Sequence, residues 1–227
     1  VCGKLFTDAQ GNNETTIEAL TIPKNNVVPL NELTGNYEAQ DGQILTGTLS
    51  GNKKITIAPG ATVTLKDANI TSLVDGSGYA GITPLGDATI ILEGTNTVKG
   101  GVSGAGWGYY PGIYAPQGYT LTIDGTGSLD ASSELGSGIG GGFSYAYETL
   151  NAGNIIISGG TITATGGMDA AGIGAGYRSS CGNILIKNTV TKVTATKGSG
   201  APNSIGAGSN GTCGTVTIEP GANVIQN

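Results

Sequence analysis

The chain has 227 residues, among them 42 glycines and only ten Lys+Arg, with 11% charged residues and a net charge of −6. That balance leaves no basic footprint for a nucleic acid, and no apolar run approaches the length of a membrane span. Histidine is absent, which excludes imidazole as catalyst or metal ligand.

Residues 1–36 lack the repeat. Thr7 to Thr16 is polar, and Pro23 and Pro29 interrupt a weak alternation after it. The segment therefore reads as an irregular cap, since a solenoid end presents bare strand edges and core that need a cover. From residue 37 a single repeating domain is expected to run to 227. The alternation Gln43-Ile44-Leu45-Thr46-Gly47-Thr48-Leu49 leads into a first full repeat at Lys54 to Leu65. Long connections are predicted at Lys66 to Ala80 and Gly100 to Pro111, with a compact repeat, Gly112 to Ala131, after them. An insertion, Phe143 to Leu150, precedes more regular repeats. The chain stops at Asn227 just beyond a predicted strand, so either an end cover exists that the sequence does not reveal or the natural polypeptide continues.

The repeat is set by two columns. Ile82, Ile113, Ile139 and Ile173, each preceded by glycine, and Ile205, preceded by Ser204, recur at intervals of 31, 26, 34 and 32 residues. Ile55, Ile90, Leu121, Ile155, Ile184 and Val216 recur at 35, 31, 34, 29 and 32. Each member of the second column is followed two residues later by another aliphatic, the period that turns both to one face of a strand. Glycine or Pro-Gly comes next, then an alternating Thr-rich run such as Thr161-Ile162-Thr163-Ala164-Thr165. Three strand-like runs per repeat, parted by turn residues and with no helical period between them, predict an all-β, right-handed, three-sided parallel β-helix, a β-solenoid of about six coils.

Cys181 and Cys213 lie at the same offset after Ile173 and Ile205. Successive coils rise about 4.7–4.9 Å, within the Cα separation that a disulfide tolerates, so the two are expected to touch. Whether they bond or form a ladder of small buried thiols stays open, because stacked side chains point in parallel. Cys2 has no partner by this count. Asn154 and Asn183 align just before inward aliphatics, where stacked asparagines can bond one another and the backbone.

Aromatic residues concentrate near the Gly-Ile edge. Trp107, Tyr109, Tyr110 and Tyr114 flank Ile113, and Phe143, Tyr145, Tyr147 and Tyr177 follow Ile139 and Ile173. Flat rings with polar tips stack on sugars or anchor a protein partner; the competing role is to pin their own loops. Glu93 and Asp124, each following an inward residue, are the carboxylate pair best placed for catalysis or for calcium. Arg178 is a further candidate, as a lyase base. No cofactor is required by any of these readings, calcium being the one ion the carboxylates would take.

The chain resembles a group of extracellular β-helix repeat proteins of anaerobic gut bacteria. The resemblance rests on Gly42 to Leu49, Ile55 to Leu65, Asp87 to Val98, Tyr119 to Leu129, Ala170 to Tyr177 and Ser180 to Ile184, and covers roughly residues 36–227. More loosely it is similar to pectate-lyase-like right-handed β-helices, although the histidine motif of polygalacturonases is missing. The resemblance implies a secreted or surface-anchored module and brings no catalytic motif. The expectation is a non-catalytic module binding a polysaccharide or a surface glycoprotein through the aromatic edge. The alternatives are a polysaccharide-degrading enzyme using Glu93, Asp124 or Arg178, and a stalk without a ligand.

Overall fold

The computed structural model describes residues 26–71, 79–101, 110–143 and 150–227. Every ladder between its named strands is parallel, and among the described residues the only helical turn is a short 3-10 segment, Leu30–Glu32.

Each coil has three sides. The first is a 7-stranded sheet of short strands, Tyr37–Ala39, Ile55–Ile57, Ile82–Pro84, Ile113–Tyr114, Ile139–Gly140, Ile173–Gly174 and Ile205–Gly206. The second stacks Ala88–Glu93, Thr120–Gly125, Asn154–Ile157, Ile184–Ile186 and Val216–Ile218. The third stacks Thr95–Lys99, Ser128–Ser132, Thr161–Thr165, Lys192–Thr196 and Val224–Gln226. The long strand Thr62–Ile70 belongs to both, pairing with Ala88–Glu93 through its first half and with Thr95–Lys99 through its end. It turns between them at Asp67, whose φ of 50° lies in the left-handed region. The chain is thus a β-solenoid, as the two-column period predicts.

Alternation places the core. Along Ala88–Glu93 the alternate positions Ala88, Ile90 and Leu92 are buried and Thr89, Ile91 and Glu93 face outward; Thr161–Thr165 buries Ile162 and Ala164 by the same alternation. The three inner faces meet in one continuous cluster running from Val28 to Ile205. Each fully buried Ile or Leu contributes about 1.5–3 kcal/mol, and stacking identical positions lets every coil cover the core of the one before it.

The columns need correction in register. Ile55 pairs with Ile82 and so belongs to the short-strand side, ahead of Ile113. On the second side Ile123 lies opposite Ile90, and Leu121 lies opposite Ala88. A slip of two residues preserves the inward and outward sets, so alternation alone does not exclude it. The expected connection at Lys66 is partly wrong as well, because Lys66–Ile70 is strand. Val27–Pro29 already joins the sheet, pairing with Ile44–Thr46 ahead of residue 37.

Polar side chains tie the corners from coil to coil. Asp41 accepts the Thr62 amide at 2.8 Å, Asp67 that of Thr95 at 2.9 Å, and Asp87 that of Thr120 at 2.7 Å. Asn154 accepts the amide of Asn183, and Asn183 that of Thr215, both at 2.9 Å. The asparagines therefore bind backbone rather than each other. Asn96, fully buried, donates to the carbonyls of Glu93 and Ser128 and accepts the Ala68 amide, so no core polar group there is left unpaired.

Candidate functional site

The Gly-Ile edge begins with a close approach of backbones. Gly140, Gly174 and Gly206 stack in register with φ of 131°, 130° and 124°. A Cβ at Gly174 would lie 2.1 Å from the Gly206 carbonyl oxygen, which is why glycine follows Ile139, Ile173 and Ile205. From there the chain climbs to the corner leading into the second side, and the corner bears the aromatic residues.

Phe143 and Tyr177 occupy equal offsets after Ile139 and Ile173. Their rings stack with centroids 4.6 Å apart and planes 27° from parallel. That distance matches the rise between coils, so the fold sets the stack. The Arg178 guanidinium sits over the same tyrosine, 5.0 Å from the ring centroid, within cation–π range. Both rings are half-buried and Arg178 is exposed. The result is a layered group of two rings and a cation at the rim.

Tyr114 lies one coil from Phe143 and is committed to the fold. Its hydroxyl donates to the Asn151 carbonyl at 3.1 Å, and burial, with Tyr110 beside it, pushes its phenol up from the ordinary value. Asn151 in turn accepts the Ser180 amide and donates to Gln117. Beside this network Cys181 and Cys213 pair in register and are joined by a disulfide, with Cα atoms 4.4 Å apart. Trp107, Tyr109, Tyr145 and Tyr147 lie outside the described residues, as does Cys2.

The carboxylate pair does not form as expected. Asp124 lies opposite Ile91 and Gly125 opposite Leu92, so Glu93 is offset from Asp124 along the strand. Glu93 instead pairs with Lys66 at 3.0 Å, and Asp124 accepts the Gly125 amide at 2.7 Å. The cause is the two-residue register shift already described. Among the described residues no three His, Cys, Asp or Glu side chains gather where they could hold a metal ion, and no helix is long and apolar enough to cross a membrane.

The layered group joins Phe143 and Tyr177, which sequence reasoning placed at this edge, with Arg178, which it weighed only as the base of an alternative, lyase reading. Their association was legible in the spacing, since Phe143 and Tyr177 follow their Gly-Ile motifs at one offset. Asn151 and Gln117 carried no comparable signal.

A family described as a beta helix repeat matches residues 121–143 and 155–177. Each matched unit runs from an inward aliphatic of the second side to one ring of the stack, and Leu121 and Ile155 lie opposite each other. No curated protein and no solved structure matches the chain.

Proposed function

We propose that the protein is a non-catalytic module of the cell surface or extracellular space that binds a glycan at the corner bearing Phe143, Tyr177 and Arg178. The observation that carries this reading is the ring stack with a guanidinium beside it, at the rim of a rigid scaffold. A half-exposed ring offers an apolar face to the C–H side of a sugar, while a neighbouring cation and amides answer its oxygens. The disulfide fits an oxidising compartment.

Five carboxylates have structural partners, which sets the enzymatic reading behind this one. Asp41, Asp67 and Asp87 each accept a backbone amide of the following coil, and Glu93 and Glu134 pair with Lys66 and Lys99.

The test is a glycan array probed with the intact chain and with Phe143→Ala and Tyr177→Ala. Binding is expected to fall at least tenfold in both variants. Hits that both variants retain at full strength would remove the stack as the binding element.

A further inference from the structure

The corner that follows three of these isoleucines, Ile113, Ile173 and Ile205, turns through one left-handed residue. Gly118, Arg178 and Asn210 each stand five residues after Ile113, Ile173 and Ile205, with φ of 90°, 51° and 54°. The Arg178 amide donates to the Ser209 carbonyl at 2.9 Å, the parallel pattern that sets Arg178 beside Asn210 of the next coil. Glycine adopts this conformation freely, and asparagine with a short polar side chain tolerates it. Arginine has neither excuse, and it is the single arginine of the chain. Backbone strain of this kind persists where a side chain is needed at that place.

The surroundings say what the side chain is for. Arg178 is exposed, it rests over the Tyr177 ring, and among the described residues no acidic side chain pairs with it. Lys66 and Lys99, by contrast, are paired with glutamates. On a chain of net charge −6, a free guanidinium held against an aromatic face is a local reversal of sign. Its planar donors fit a carboxylate or a sulfate in bidentate fashion.

We infer that the glycan bound at the Phe143–Tyr177 stack is acidic, its carboxylate or sulfate ester taken by Arg178 while the ring takes its apolar face. This rests on the glycan-binding reading above and narrows it to a charge class.

The variants Arg178→Gly and Arg178→Asn place in this corner the residues that its neighbours use, so they relieve strain and leave the fold intact. An array of neutral, uronate-bearing, sialylated and sulfated glycans is probed with the intact chain, both variants and Tyr177→Ala. Thermal midpoints are measured alongside. Signals confined to acidic glycans, lost at least tenfold in both Arg178 variants while their midpoints hold or rise, are the expected result. Comparing uronate-only with sulfate-only glycans then separates the two anions. Equal signals on neutral glycans, or acidic signals that both Arg178 variants keep, overturn the charge inference; the glycan reading survives if Tyr177→Ala still removes them. No signal on any glycan overturns both.

Discussion

Cys181 and Cys213 hold the same place in successive coils and are bonded, with their Cα atoms 4.4 Å apart. The bond ties down the coil whose inward residues Val216 and Ile218 are 39% and 36% exposed, the least covered stretch of the core column. In a solenoid each coil touches only its neighbours, so stability is lost locally. Opening a loop with a sequence separation of 32 removes about 3–4 kcal/mol on the chain-entropy account. Reduction, or the double variant Cys181→Ser with Cys213→Ser, is expected to speed hydrogen exchange across residues 205–227 first. Residues 82–132 should keep their protection, and a uniform rise along the chain would contradict this assignment.

The glycine ladder gives a second prediction. Gly174→Ala puts a Cβ 2.1 Å from a backbone oxygen at a φ of 130°, whereas at Gly118, with φ of 90°, nothing lies within 4 Å. Strain and overpacking together cost about 2–4 kcal/mol at the first site. At the second only the left-handed backbone counts, about 1–2 kcal/mol. Denaturant unfolding of the two variants measures the difference, and equal losses would mean that the ladder yields to a methyl group.

Asn96 gives a third. Its column neighbour across the ladder is Leu129, so Asn96→Leu adds apolar surface to an apolar stack. It also strips the Ala68 amide and the Glu93 and Ser128 carbonyls of their partner. Leaving buried groups unpaired costs about 1–3 kcal/mol each, which exceeds what the leucine gains. The variant is expected to unfold at lower denaturant. A more stable Asn96→Leu would show that solvent reaches those groups.

Tyr114 gives a fourth, at alkaline pH. Its phenol is raised by burial first and by Tyr110 second, so the folded chain holds that proton more tightly than the unfolded chain. The stabilisation is complete below the ordinary value of 10.0 and is lost as pH climbs through the raised one. Tyr114→Phe forfeits the hydrogen bond to the Asn151 carbonyl, about 1 kcal/mol near neutrality. The wild-type thermal midpoint should therefore fall toward that of the variant above pH 10. Parallel curves would place the sensitivity in another tyrosine.

Part of the edge is legible in the spacing, and the register errors share one origin. The spacing carries a signal for the stack, since Phe143 and Tyr177 share one offset and coil rise and aromatic stacking distance coincide. Pairing Glu93 with Asp124 failed because Ala88, Ile90 and Leu92 all point inward. Any of the three could sit opposite Leu121 without moving a side chain to the wrong face. Ile55 was misplaced for a similar reason, since Ile55–Ile57 and Ile184–Ile186 bury the same pattern on different sides of the coil.

By itself the sequence determined the solenoid, the alternation that builds its core and the edge on which rings collect, since these follow from spacing along the chain. Tertiary structure alone decided which strands face which, that Cys181 and Cys213 bond, and that Arg178 occupies a left-handed corner over Tyr177. These depend on hydrogen-bond register between coils and on backbone torsions, and a pattern of period two is blind to both.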